Sequence, residues 1–187
     1  SRFGNPTVDT FQKRMALLEG AEACWATSSG MSALFTILMS YLKKGDRVVS
    51  ARALFGSCHY IVTEILPKFG IEVKLVDGSN LNQWESALKK KTKIVFFETP
   101  SNPCLEIVDI KNVSTLAHKA GAKVVVDNVF ATPILQKPLE LGADIILVGR
   151  DSLKFQSAED SIIKRNPDIK RKVLSYQCNM SDEKNVN

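Results

Sequence analysis

The sequence predicts an α/β domain: a mainly parallel sheet with helices on both faces. Strand-like and helix-like segments alternate as far as about Val148, which implies βαβ crossovers. Val124-Val125-Val126-Asp127 is a β-branched run closed by an acid, and strands of a parallel sheet, buried on both faces, read as near-continuous runs of this kind. Gly45-Asp46, Phe69-Gly70 and Gly121 punctuate the segments where turns are needed.

Taken in order, Thr7 is expected to cap a helix over residues 8–19, with Phe11, Met15, Leu17 and Leu18 available for its apolar face. Residues 23–27 form a short strand candidate. Residues 30–42 read as a buried helix, 47–50 as a strand, and 57–68 as a helix that Phe69-Gly70 stops. A strand over 72–76, a helix over 81–89 and a strand over 93–97 follow. A helix over 108–120 is closed by Gly121, and 123–127 and 144–148 are the last clear strands. From about residue 150 the text turns polar and charged, with Asn166-Pro167-Asp168 as a turn, a short helix candidate over 157–164 and an end expected to be disordered from 181. The organisation is therefore 1–149 as one domain and 150–187 as an unmatched polar tail.

A chain of 187 residues can bury a sizeable single core. It has no apolar run near the roughly 20 residues of a membrane-spanning helix and no signal-peptide pattern. It opens on Ser1-Arg2 without an initiator Met, so it is expected to begin inside a longer protein. Cys24, Cys58, Cys104 and Cys178 form no CxxC pair, and with only His59 and His118 no metal-ligand cluster is expected. Buried thiols in a reducing cytoplasm are the plainer reading. The net charge of +5 is modest, and Lys89-Lys90-Lys91 reads as a solvated helix end. No basic stripe interleaved with aromatics points to nucleic acid.

The chemistry is expected beyond the carboxyl ends of the strands, where open α/β sheets collect ligands. Thr27-Ser28-Ser29-Gly30-Met31-Ser32 opens a helix, and its free amides and hydroxyls could cradle a phosphate; Ser29 as an ordinary N-cap fits equally well. Phe55, beside Gly56, could cover a planar ligand or belong to the core. Pro100 and Pro103 stiffen the loop that carries Asn102, an amide able to meet a ring substituent or carboxylate, or a member of a plain turn. Asp127 could pair with a protonated ring nitrogen and keep that ring electron-withdrawing, or cap the next helix. Phosphate donors, a stacking ring and an acid at neighbouring strand ends are together what pyridoxal 5'-phosphate requires.

These motifs carry a family resemblance. Ser1-Arg2-Phe3-Gly4-Asn5-Pro6-Thr7, Ser28-Ser29-Gly30-Met31, Glu98-Thr99-Pro100-Ser101-Asn102-Pro103 and Asp127-Asn128-Val129-Phe130-Ala131-Thr132-Pro133 resemble the Cys/Met-metabolism (trans-sulfuration) pyridoxal-phosphate enzymes. Ala53-Leu54-Phe55-Gly56-Ser57-Cys58 and Gln136-Lys137-Pro138-Leu139-Glu140-Leu141-Gly142-Ala143-Asp144 are most similar to the O-succinylhomoserine sulfhydrylases within it. The resemblance implies an incomplete fold type I large domain acting in homocysteine and methionine biosynthesis, with a small amino-acid substrate such as O-succinylhomoserine. It implies that Ser29, Gly30 and Met31 hold the cofactor phosphate, Phe55 stacks on the ring, Asn102 meets its hydroxyl side and Asp127 pairs with its nitrogen. It further implies that Arg2 reaches the phosphate of a neighbouring subunit in a homo-oligomer.

The resemblance spans about residues 1–146, and the chain departs from the family after about residue 146. Ser-x-Thr-Lys should follow one more strand, its lysine binding the cofactor covalently. Lys154 in Gly149-Arg150-Asp151-Ser152-Leu153-Lys154-Phe155 is the nearest candidate and falls later than that spacing. Two alternatives accompany the enzyme reading: an inactive remnant or cofactor-binding module, and a basic partner- or nucleic-acid-binding protein using the 164–172 region.

Overall fold

The computed structural model describes residues 4–148 of the chain. Arg2, Lys154, Cys178 and the whole expected tail, including its short helix, its disordered end and its basic region, lie outside the described residues.

The expected parallel sheet is present. It contains β1 (Arg47–Ala51), β2 (Glu72–Val76), β3 (Ile94–Glu98), β4 (Lys123–Asp127) and β5 (Ile145–Leu147), in the order β2-β1-β3-β4-β5. Every neighbouring pair is parallel. The helices are α1 (Pro6–Glu19), α2 (Gly30–Tyr41), α3 (Gly56–Tyr60), α4 (Leu66–Lys68), α5 (Leu81–Leu88), α6 (Ile110–Lys119) and α7 (Thr132–Leu135). A π-helical segment, Ile61–Ile65, joins α3 to α4, and a 3-10 turn, Pro138–Leu141, precedes β5.

Alternation along the strands divides the core in two. Val49, Ala51, Val95, Phe97, Val124 and Val126 face α5 and α6, where Trp84 is fully buried and Phe97 meets its ring edge-on at 5.8 Å. Val48, Ile94, Phe96, Val125 and Leu147 face the other way, against Leu34 and Leu38 of α2 and Cys58, Val62 and Leu66. Both faces are covered, which is why β1, β3 and β4 are buried almost end to end.

Several boundaries shift for identifiable reasons. Asn5, not Thr7, caps α1: its side chain accepts from the Thr7 amide at 2.9 Å, and Pro6 takes the first turn, where a missing N–H costs nothing. Asp109 caps α6 through the Asn112 amide at 3.0 Å, so that helix starts at Ile110 rather than 108. Residues 23–27 are not a strand. They run alongside α1, and the Ala26 amide donates to Gln12 Oε1 at 2.8 Å instead of joining a ladder. The apolar face expected on α1 is not packed away either: Phe11, Leu17 and Leu18 are exposed, while Glu19 is buried. The expectation of buried thiols holds only in part: among the described cysteines Cys58 alone is buried, while Cys24 is half-buried and Cys104 exposed. Lys89, Lys90 and Lys91 are exposed as expected. No described helix is long and apolar enough to cross a membrane, and no metal-binding cluster occurs among the described residues.

Candidate cofactor site

The sheet's carboxyl-end rim is assembled by connectivity. The chain leaves α2 and enters β1 from the amino side of the sheet, so the N-terminus of α2 lies at the opposite rim, where β1, β3 and β4 end. α3 starts just past the end of β1 and shares that rim. Ser29 caps α2, its hydroxyl accepting from the Ser32 amide at 3.1 Å. The amides of Gly30 and Met31 occupy the first helical positions, which have no intrahelical acceptor. Ser29 and Gly30 are exposed, and the space where a Gly30 β-carbon would stand is open. The N-cap reading of this loop is therefore met, and the cap fixes the first turn while leaving the Gly30 and Met31 amides without an intrahelical acceptor.

Asp127 ends β4 and is 6 % exposed. It is in phase with Val125, which places it on the α2–α3 face of the sheet. Its Oδ1 accepts from the Val129 amide at 3.0 Å. It does not cap α7, which has no side-chain cap and starts five residues on, so the plain capping role expected for such an acid is not the one it plays. Phe55 and Met31 are partly buried against the apolar cluster of this same face. The structure thus brings Met31, Phe55 and Asp127 to one rim of one sheet face from three separate stretches of chain. Asn102 sits half-buried in the loop after β3, between the cis peptide bonds Thr99-Pro100 and Asn102-Pro103.

Two features went unread in the sequence. Glu98 ends β3 with only 3 % exposure, stands in register with Asp127, and accepts from the Phe55 amide at 2.8 Å. Its phase with Phe96 was a usable signal. The second is a polar clasp behind Asp127. Asn128 is fully buried, donates from Nδ2 to the Gln136 carbonyl at 3.0 Å and accepts from Gln136 Nε2 at 2.9 Å; that same Nε2 also donates to the Thr99 carbonyl at 2.9 Å. The clasp ties the exit of β4 to the exit of β3, and nothing in the spacing of Thr99, Asn128 and Gln136 announces it. Thr132, inside the clasped loop, holds φ 60, a costly conformation for a β-branched residue and one that is found where surrounding structure imposes it.

Glu19 borders this clasp. It is 2 % exposed, and neither carboxylate oxygen has a hydrogen-bond partner among the described residues. Burial pushes its carboxyl above the usual range, and the nearby Asn128 amide and Lys137 charge offset this only in part. Burial also raises the Cys24 thiol, with the Glu19 charge adding to the effect; such a thiol is a poor nucleophile.

A family model for Cys/Met metabolism PLP-dependent enzymes matches residues 1–151. The chain belongs to that family. Within it, the chain is 57% identical over 147 residues to an O-succinylhomoserine sulfhydrylase of Mycobacterium tuberculosis, a match covering 79% of this chain and 36% of that protein. It is 49% identical over 148 residues to an L-methionine gamma-lyase of Fusobacterium nucleatum subsp. polymorphum, covering 79% of this chain and 38% of the lyase. Among solved structures, it resembles a Campylobacter jejuni protein assigned as an O-acetylhomoserine (thiol)-lyase, which contains N'-pyridoxyl-lysine-5'-monophosphate. That likeness has a TM-score of 0.75 at 34% identity and covers 80% of this chain and 37% of the other. An O-acetylhomoserine sulfhydrylase of Wolinella succinogenes follows, with a TM-score of 0.72 at 38% identity over 76% of this chain and 40% of its own. The chain thus spans little more than a third of the length of the curated relatives it matches. The fold expected from the sequence, the parallel sheet of fold type I enzymes, is the fold these family members share.

Proposed function

We propose that this chain carries the pyridoxal-phosphate-binding part of a trans-sulfuration enzyme of the O-succinylhomoserine sulfhydrylase kind. One observation supports this above the others: the start of α2 with its uncapped first amides, the partly buried Phe55 and the buried Asp127 carboxylate come to one rim of one sheet face. Bound there, pyridoxal phosphate supplies an electron-withdrawing ring able to take up negative charge from an amino-acid substrate.

The residues divide the work by chemistry. The Gly30 and Met31 amides, with the Ser29 hydroxyl, receive the phosphate at a helix N-terminus, where the helix dipole favours an anion. Asp127 holds a proton on the ring nitrogen by charge attraction. Phe55 covers one face of the ring and, lacking a hydroxyl, moves no proton. Asn102 offers an amide to the ring's hydroxyl side. Arg2, in this reading, reaches the phosphate of a second copy of the chain, making a homo-oligomer with shared sites, and Lys154 is the lysine that meets the cofactor aldehyde. The substrate is a small amino acid of the O-succinylhomoserine type, and the setting is the cytoplasm. Residues 1–149 act as the cofactor-binding unit and 150–187 as a separate segment. The late position of Lys154 relative to the family motif favours a second reading, a chain that holds the cofactor without turning substrate over.

Adding pyridoxal phosphate to the full chain tests both. The expected result is a band at roughly 420 nm that borohydride bleaches, with the reduced adduct on Lys154 by peptide mass spectrometry. An adduct on another lysine overturns the assignment of Lys154. No binding at all overturns the cofactor reading. Binding without release of succinate from O-succinylhomoserine, or addition of sulfide to it, selects the second reading.

A further inference from the structure

Glu98 is a carboxylate buried to 3 % exposure at the end of β3, and a charged group is held there only by groups that satisfy it. One of them is the Phe55 amide, which donates to Glu98 Oε2 at 2.8 Å across 43 positions of sequence. Phe55 occupies the capping position of α3, and no side chain of its own segment caps that helix. The segment is instead gripped on both sides of Phe55: Glu98 takes its N–H, and its carbonyl accepts from the His59 amide at 2.8 Å. Glu98 is also the register partner of Asp127 on the neighbouring strand. One side chain therefore connects the strand beside the buried acid to the backbone that carries the ring.

We propose that Glu98 is a positioning residue that sets the Phe55 ring relative to Asp127, so that the spacing between stacking surface and acid is determined from β3. This rests on the reading of Phe55 and Asp127 as cofactor contacts. Charge-assisted hydrogen bonds are the strong ones, and an oxygen at the end of a packed strand is a firmer anchor than a loop side chain.

The test uses the full chain and three variants. Glu98→Gln keeps an acceptor oxygen in place, Glu98→Leu removes it, and Glu98→Asp withdraws the carboxylate by one methylene. Amide hydrogen exchange is followed at Phe55 without cofactor, and induced circular dichroism of added pyridoxal phosphate reports the ring's setting. In Glu98→Leu, exchange at Phe55 is expected to quicken by about tenfold or more while β4 and α6 keep their protection. The dichroism per bound cofactor should fall in the same variant. Glu98→Gln should restore both. Should Glu98→Leu fail to fold, Glu98→Asp carries the same two expectations. A folded Leu or Asp variant that matches the wild type in exchange and in dichroism overturns the role of Glu98. A variant that melts earlier with unchanged dichroism per bound cofactor also overturns it, since that is the mark of a purely structural group. Absence of any dichroism in the wild-type chain overturns the cofactor reading itself and the role built on it, a failure visible before any variant is made.

Discussion

Glu98 and Asp127 stand opposite each other at the ends of β3 and β4, 3 % and 6 % exposed. Two buried acids on adjacent strands, on the same side of a sheet, are an arrangement that core packing alone does not favour, because each charge must be satisfied out of water. Glu98 answers to the Phe55 amide and Asp127 to the Val129 amide. The rim is therefore specialised rather than merely closed off.

Replacing Asp127 with Asn keeps the shape and removes the charge. Pyridoxal phosphate is expected to bind about tenfold more weakly or worse, in line with the loss of a charge-assisted contact. The unfolding midpoint of the cofactor-free chain should hold or rise. Titration of the bound-cofactor absorbance against cofactor concentration, alongside thermal melts, checks both; a lowered midpoint with unchanged affinity would contradict the assignment.

Ser29→Ala removes the cap of α2. The loss should be about 1 kcal/mol in urea unfolding. The same variant should bind inorganic phosphate and pyridoxal phosphate more weakly, because the first turn frays and the Gly30 and Met31 amides lose their common direction. Equal weakening of a ligand that lacks a phosphate, such as pyridoxal, would show that the effect does not come from the cradle.

Asp144 lies at the opposite rim. Burial raises its carboxyl, but the Val124 amide at 2.8 Å, His118 Nε2 at 2.9 Å and the more distant Lys123 outweigh burial and hold it below the usual aspartate range. A depressed folded value means that the stabilisation is present above the unfolded value and lost as pH falls through the folded one, on the acid side of about pH 4. Asp144→Asn should cost about 0.5–1 kcal/mol at pH 7, a modest figure because the pair is partly solvated. The cost should diminish as pH is lowered below about 4, as read by denaturant unfolding across that range.

Glu19 behaves in the opposite sense. Its folded value is raised by burial, so its contribution is present below the unfolded value of about 4.3 and lost as pH rises through the folded one. Glu19→Gln should therefore stabilise the chain at pH 8 by about 1 kcal/mol, with the gain disappearing near pH 4. Because the Glu19 charge also raises the Cys24 thiol, alkylation of Cys24 by iodoacetamide should quicken in the same variant. No gain at pH 8 would mean that groups outside the described residues already satisfy this carboxylate.

How far the sequence could be read depended on whether a feature is local. The apolar runs that end in Glu98 and Asp127 predict strands because a strand buried on both faces has no polar phase to show. Ser29 before Gly30 marks a helix start because the cap acts within three residues. Residues 23–27 misled for the same reason: their composition suits a strand, but Gln12 supplies the acceptor for Ala26, fourteen positions away. The Phe11, Leu17 and Leu18 stripe of α1 reads as a buried face and is exposed; periodicity shows which residues share a side, not what covers it.

By itself the sequence determined the alternation of strand and helix, the parallel sheet that such crossovers impose, and the ends of β1, β3 and β4 as the place for Phe55, Asn102 and Asp127. These follow from short-range pattern and from the handedness and direction of βαβ units. Only the tertiary structure decided that Glu98 reaches the Phe55 amide, that Gln136 joins Asn128 to Thr99, and that Glu19 lies buried beside that clasp. The Glu98–Phe55 and Gln136–Thr99 bonds join residues 43 and 37 positions apart, and bonds of that kind exist only once the sheet has brought its strand ends together, so no local spacing can encode them.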